Sequence, residues 1–297
     1  MKCFFSLSAS GWCEQFRDMS LALAASAKAR TSLEMYCIYD GEPNAITAKL
    51  ESMGVHMVFH KPKYTSMLEA GARRYSVRRG RTSVWGNPAL WNGTFLRLEI
   101  PLLLEALGIN DRFALYVDAD CIFQRDPPLE LIEPECLAAA SEKDPRDKSH
   151  FNAGVMLLNV AAMQKSYPAF IEFCSIRGFV PKRGEGVVDQ GLYNAFYGDK
   201  WLHISELFNW KAYWPMNPDA YIVHFHGPKP AQIAEFMRGK MKRPPSKSIG
   251  RLLEENSANL AVYRDVWEAW LHVASIGCSA LDAHRSPGVR SPSVTSS

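Results

Sequence analysis

Short apolar runs alternate with stretches of helical periodicity along the first 60 residues. Lys2 to Leu7 predicts a strand, the Ala-rich Glu14 to Ala29 a helix, and Leu33 to Tyr39 a second strand ending in the turn Asp40-Gly41-Glu42-Pro43. Asn44 to Met53 predicts a helix with Asn44 as its cap, and Val55 to Phe59 a third strand. From Lys61 to Trp85 the pattern dissolves. Thr94 to Leu107 is periodic again, with Leu96, Ile100, Leu103, Leu104 and Leu107 on one stripe and Pro101 expected to kink it. Phe113 to Val117 predicts a strand, Cys136 to Ala140 an apolar stretch, and Val155 to Leu158 a buried strand. Helices follow over Val160 to Ile176 and Gln190 to Tyr197, then a strand over Tyr221 to Phe225. An amphipathic helix is expected from Leu252 to Val273. Strands alternating with helices predict an α/β fold, a Rossmann-like, mainly parallel sheet with helices on both faces.

Composition changes this picture little. The 297 residues, 47% hydrophobic and 22% charged, suit an ordinary globular protein with ample core. A net charge of +3 is too slight to argue for nucleic acid, so only local clusters of charge inform. The seven cysteines include no Cys-x-x-Cys pair, which reads as buried, reduced thiols in a cytosolic protein. Glu14, Arg17 and Asp18 break any signal-peptide core, and no apolar run is long enough to span a bilayer. The expected location is the cytoplasm, with at most peripheral contact on the inner face of the membrane. From Gly277 the chain is Ser/Pro-rich and expected to be disordered.

Four segments carry candidate chemistry. Leu115-Tyr116-Val117-Asp118-Ala119-Asp120 brings two carboxylates to the C-terminal end of a strand, where open α/β sheets bind ligands. Their mutual repulsion is relieved by a hard divalent cation, magnesium or manganese, although a solvated turn has the same pattern. His224-Phe225-His226-Gly227-Pro228-Lys229-Pro230 ends another strand, with an imidazole that can complete a cation shell and a lysine suited to phosphate. Phe151-Asn152-Ala153-Gly154 offers an amide for sugar hydroxyls and small residues for close backbone approach. Val187-Val188-Asp189-Gln190 opens a helix, with Asp189 either a plain N-cap or a carboxylate beside the reacting sugar carbon. The aromatic run Phe208-Asn209-Trp210-Lys211-Ala212-Tyr213-Trp214 suits a sugar acceptor or core packing equally.

These four segments, in this order, resemble the family 8 retaining glycosyltransferases, which include glycogenins and bacterial lipopolysaccharide galactosyl- and glucosyltransferases. The similarity covers Thr94 to Pro230, where Thr94-Phe95-Leu96-Arg97-Leu98 resembles the family's arginine-bearing helix. It implies a GT-A fold and transfer of a hexose, glucose or galactose, from a UDP-sugar to a glycan, glycolipid or protein acceptor. It implies a manganese or magnesium ion held by Asp118, Asp120 and His224. Arg97 and Lys229 would contact phosphate or the motif carboxylates, and Asn152, Asp189 and Gln190 would hold the transferred sugar. Ala119, Ala153, Gly154 and Gly227 complete the expected nucleotide-sugar contacts. On this basis residues 1–232 form the catalytic domain, 1–110 binding nucleotide and 111–232 metal and acceptor. Residues 233–275 are a basic stretch and helix, and 276–297 a tail.

The chain departs from the family twice. Its first strand ends Leu7-Ser8-Ala9 without the usual aspartate, and the last motif lacks one residue before Lys229 and has Ala231 for tryptophan. The second departure leaves His226 as a rival ligand to His224. Retention can proceed through a covalent intermediate on Asp189 or by front-face attack, the favoured reading. A sugar nucleotidyltransferase or a non-catalytic sugar-nucleotide or glycan-binding module are the alternatives. Two basic clusters stand apart: Arg73 to Arg81, expected to line the acceptor entrance or cover the diphosphate, or else to face solvent, and Arg238 to Arg251, six basic residues without an acid. The latter precedes the stripe Leu252, Leu253, Leu260, Tyr263, Val266, Trp267, Trp270 and Leu271, a pattern of interfacial attachment or of a helix packed on its own domain.

Overall fold

The computed structural model describes residues 1–9, 13–79 and 87–276. The expectations for Arg81 and for the tail at 277–297 fall outside the described residues, as do the side chains of Arg78 and Arg79.

The first third builds a parallel unit: β1 (Lys2–Ser8), α1 (Cys13–Arg30), β2 (Glu34–Asp40), α2 (Ala45–Ser52) and β3 (His56–Phe59). Asn44 caps α2 as its position predicts. Its side chain accepts from the N–H groups of Ile46 and Thr47, and the Thr47 hydroxyl accepts from the Asn44 N–H in return. Where the hydrophobic pattern dissolves, the chain forms another helix, α3 (Thr65–Arg79), which buries a narrow stripe of Leu68, Gly71, Ala72 and Tyr75 among its described side chains. The kinked helix expected over Thr94 to Leu107 is replaced by two. α4 (Pro88–Phe95) and α5 (Ile100–Ala106) are joined by a 3₁₀ turn at Leu96–Glu99, and Pro101 lies in the first turn of α5, where its missing N–H costs nothing.

Beyond them come β4 (Phe113–Val117), β5 (Cys121–Phe123), β6 (Leu137–Ser141), β7 (Phe151–Asn159), α6 (Val160–Ile176) and α7 (Val188–Tyr197). The chain ends through β8 (Trp201–His203), β9 (Trp210–Lys211), β10 (Ile222–His224), α8 (Pro230–Met237), α9 (Lys247–Glu255) and α10 (Ser257–Ile276). The single helix expected over Leu252 to Val273 is thus broken at Asn256, the C-cap of α9.

Seven strands form the main sheet in the order β3-β2-β1-β4-β7-β6-β8, parallel except where β7 runs against β4 and β6. Alternation along β1 divides the core. Phe4 joins Trp91, Phe95, Tyr116 and Phe170 under α3 to α7, while Cys3 and Phe5 join Leu23, Leu50 and Leu115 under α1 and α2. The helices lie on both faces, as predicted. A second sheet, β5-β10-β9, continues from the end of β4. It shares a third core with α1, α8, α9 and α10, built on Ile122, Val223, Phe225, Leu253, Leu260, Tyr263 and Trp267. The stripe proposed for membrane attachment is therefore largely interior, because it covers the small sheet and α1.

Candidate active site

The turn Asp118-Ala119-Asp120 passes the chain from one sheet to the other. The Asp118 N–H donates to the Gly154 carbonyl at 2.7 Å, the Cys121 N–H to the Asp118 carbonyl at 3.1 Å, and the Phe225 N–H to the Asp120 carbonyl at 2.9 Å. Three motifs distant in sequence are thereby tied by backbone bonds at one point.

Each motif carboxylate uses one oxygen on a cation. Asp118 Oδ1 accepts from Arg97 Nη2 at 2.8 Å and from the Tyr116 hydroxyl at 2.9 Å. Asp120 Oδ2 pairs with Lys229 Nζ, which also donates to the Phe225 carbonyl at 2.9 Å. The other two oxygens turn toward His224. Its Nε2 lies 3.3 Å from Asp120 Oδ1 and 3.8 Å from Asp118 Oδ2. Burial alone would raise the Asp120 pKa, but Lys229 and, when its ring is protonated, His224 hold it well below the usual carboxylate range.

The tautomer of His224 follows from a backbone donor. The Gly154 N–H donates to Asn152 Oδ1 at 3.1 Å, so that atom is an acceptor. Asn209 must then offer its amide nitrogen to Asn152 Oδ1, at 2.8 Å, and its oxygen to His224 Nδ1, at 2.9 Å. Nδ1 carries the proton, and in the neutral ring Nε2 presents a lone pair to two carboxylate oxygens. In that form the lone pair stands 3.3 Å from Asp120 Oδ1 and 3.8 Å from Asp118 Oδ2, contacts that repel unless a cation or a proton lies between. Cis ligands of an octahedral ion with bonds of about 2.1 Å are roughly 3 Å apart, so the spacing of His224 and Asp120 suits a divalent cation. Cys121 brings a third element to the same point: one ligand atom each from Asp120, Cys121 and His224 lies within 4.8 Å of the others. Burial and the adjacent aspartates push its thiol pKa well up.

Beside this centre lies a polar floor that the sequence reading only partly anticipated. Asn152 Nδ2 donates to Glu142 Oε2 at 2.7 Å and to Gln190 Oε1 at 3.2 Å. Gln190 Oε1 also accepts the Ala153 N–H at 3.0 Å, and Gln190 Nε2 donates to Glu142 Oε2 at 2.9 Å. His226 Nε2 faces Glu142 Oε1 at 3.3 Å. Of the two rival histidines, His224 stands on the Asp118–Asp120 pair and His226 on Glu142. Burial lowers the His226 pKa more than Glu142 restores it. Burial would raise Glu142, but His226, Asn152 and Lys211 bring it well below the ordinary carboxylate range.

Arg97 organises the other side. Its Nη1 donates to the Ala153 carbonyl at 2.6 Å and its Nε to the Thr94 carbonyl at 3.2 Å, while Nε lies 2.8 Å from Asp189 Oδ2 in an ion pair. Burial would lower the guanidinium pKa, but Asp118 and Asp189 raise it. Asp189 is buried in the first turn of α7 and is not its N-cap, which is Val187. Burial raises its pKa to about 6 against the pull of Arg97. The preceding Val188 is held at φ +45°, a conformation β-branched residues rarely take, and such strain clusters at functional sites.

The glycines have different reasons. A Cβ on Gly154 would sit 2.2 Å from His224 Cε1, so the close approach it allows is that of the histidine ring. Gly227 turns the chain at φ +101° between His226 and Lys229. All the predicted site residues thus meet in one region. Arg73 and Arg74 of α3 do not join it: Arg74 donates to the Gly178 carbonyl and Arg73 pairs with Glu69 on its own helix. Glu142, Asn209 and Lys211 were not singled out from sequence. Glu142 is one acid among the charges of Glu142-Lys143-Asp144, and only a lone amide and a lone cation inside an aromatic run mark the other two.

Neither a protein-family model nor a curated protein sequence matches the chain. Solved structures do. The glycosyltransferase GlyE of Streptococcus pneumoniae TIGR4 superposes with a TM-score of 0.51 at 17% identity, over 93% of this chain and 64% of that one. The galactosyltransferase LgtC, solved with donor and acceptor sugar analogues, gives a TM-score of 0.53 at 15% identity, over 86% of this chain and 94% of its own. The chain has a GT-A glycosyltransferase fold. This is the architecture implied by the resemblance to family 8, and the chain spans about two thirds of the length of GlyE.

Proposed function

We propose that this GT-A chain is a retaining glycosyltransferase that moves a hexose, glucose or galactose, from a UDP-sugar to a glycan, glycolipid or protein acceptor. One observation carries the metal-dependent reading: the Nε2 lone pair of His224, its tautomer set through Asn209 and Asn152, converges with one oxygen each of Asp118 and Asp120. Those three residues would hold manganese or magnesium, which neutralises charge on a departing diphosphate.

Arg97 fixes Asp118 and Asp189 in place and Lys229 fixes Asp120, so the motif carboxylates are oriented in advance. Lys229, less buried than Arg97, is the cation placed to exchange Asp120 for a phosphate oxygen. Asn152, Gln190 and Glu142 present amides and a carboxylate suited to sugar hydroxyls. Asp189 is buried against Arg97, a poor position for a nucleophile, which supports front-face attack with the leaving phosphate accepting the acceptor's proton. The test is UDP release from UDP-glucose and UDP-galactose with manganese. Asp118→Asn and Asp120→Asn should each lose transfer by a factor of about 100 or more while remaining folded. Full activity in EDTA would refute the metal dependence.

A further inference from the structure

Lys211 is fully buried, and among the described residues its Nζ has no hydrogen-bond partner. A buried ammonium without a partner is costly, so a nearby negative charge must justify it. Its place in the sheet supplies one. Lys211 on β9 pairs in parallel register with His224 on β10, so both side chains leave the same face, the one that meets Asp118 and Asp120. Its charge is felt by Glu142 first, then by Cys121, Asp118 and Asp120, none of which it touches in an ion pair. Burial lowers its pKa, and those neighbours oppose the shift. Arg97 and Lys229 are bonded to carboxylates and are consumed locally. Lys211 is a diffuse third cation, fixed behind the whole cluster.

We propose that Lys211 is a buried counter-cation of the carboxylate cluster that weakens and thereby sets the site's affinity for a divalent cation. The ammonium and the ion are stabilised by the same carboxylates and repel each other, so each reduces the other's gain. Lys211 would keep Asp118, Asp120 and Glu142 compensated before the ion arrives and would let the ion exchange once the diphosphate leaves. It is a positioning residue: it acts on the ion through the field of the cluster.

The inference rests on the divalent-cation reading above, and the experiment separates the two. Manganese binding to the full chain is measured by titration calorimetry and by electron paramagnetic resonance, without nucleotide, for the wild type, Lys211→Met, Lys211→Gln and Lys211→Arg. The two neutral variants should bind manganese about tenfold more tightly or better, and Lys211→Arg should stay near the wild type. Manganese should also raise the melting temperature of the neutral variants more than that of the wild type, a readout that needs only one of them to fold. Wild type that binds manganese, with neutral variants that bind it equally or more weakly, overturns the inference and leaves the metal reading intact. No binding by any form overturns both. Neutral variants with unchanged manganese affinity but weakened UDP binding would assign Lys211 to the donor instead and overturn the inference.

Discussion

The proton on His224 Nδ1 is placed by a chain of amides, so the amides should matter as much as the ligands. Asn209→Ala leaves His224 without its acceptor and frees the ring to rotate or to move its proton to Nε2. Partners of this kind are commonly worth a factor of 10–100 in metal affinity. Manganese affinity should fall by roughly that factor, while His226→Ala, whose ring faces Glu142, leaves it within about threefold. Equal losses in both variants would show that the ligands are not those assigned. Asp189 allows a pH test. Its native pKa of about 6 lies above its ordinary 3.8, so between those values the folded chain binds a proton that the unfolded chain has released. The contribution of this group to stability therefore falls as pH rises through that window. Asp189→Asn should remove that slope, so that the difference in urea midpoint, variant minus wild type, grows from pH 4 to pH 6.5. A constant difference would mean an unshifted carboxyl. Most of this site was legible because strand ends advertise themselves: an apolar run followed by Asp-Ala-Asp or His-Phe-His needs no partner to be noticed. Glu142 and Lys211 were not, because only a packed structure shows that a lone charge has been buried.

Elements were legible where one face alone decides them. β4 and α6 fall where the apolar runs predict, Phe113 to Val117 and Val160 to Ile176. α3 was missed because its buried stripe is thin and broken by Gly71, a weak apolar signal in a sequence crowded with Arg73, Arg74, Arg78 and Arg79. The kinked helix over Thr94 to Leu107 was an error of a different kind: one apolar stripe runs through α4, a 3₁₀ turn and α5, and periodicity does not report the change of hydrogen bonding. The start of α2 is the clearest local success and gives a stability prediction. Asn44→Ala removes the side-chain oxygen that accepts from the Ile46 and Thr47 N–H groups, and should cost about 1 kcal/mol in denaturant unfolding. A neutral result would place the stability of that end in tertiary packing against β3. Gly154→Ala should cost more than any cap, because the added methyl meets His224 and Asn152 rather than solvent.

At the scale of the whole molecule, the C-terminal helices decide between two readings of one pattern. Basic residues followed by an aromatic stripe fit a membrane surface, and equally a helix that closes its own domain. Leu253, Leu260, Tyr263 and Trp267 are buried against the small sheet, α1 and α8, and the Tyr263 hydroxyl accepts the Asn217 N–H at 2.9 Å. The same small sheet carries His224 and Lys211, so α9 and α10 back the strands that present the site. Truncation after Met237 would expose this third core and should leave the chain aggregated or without a cooperative melt. Loss of liposome binding in such a fragment would say nothing about membranes. Arg238, Lys240, Lys242 and Arg243 are exposed and uninvolved in that core, and can be changed without touching it. No described helix is long and apolar enough to cross a bilayer. Reversing Lys240, Lys242 and Arg243 to glutamate in the full chain should leave the melting temperature within a few degrees. If the cluster meets anionic lipid, at about 1 kcal/mol for each basic residue near the surface, the same triple variant should lose sedimentation with phosphatidylserine vesicles at low salt. Wild-type protein that stays in the supernatant under those conditions would assign the cluster to solvent, and the acceptor of the transferred sugar would then be sought among soluble glycans and proteins.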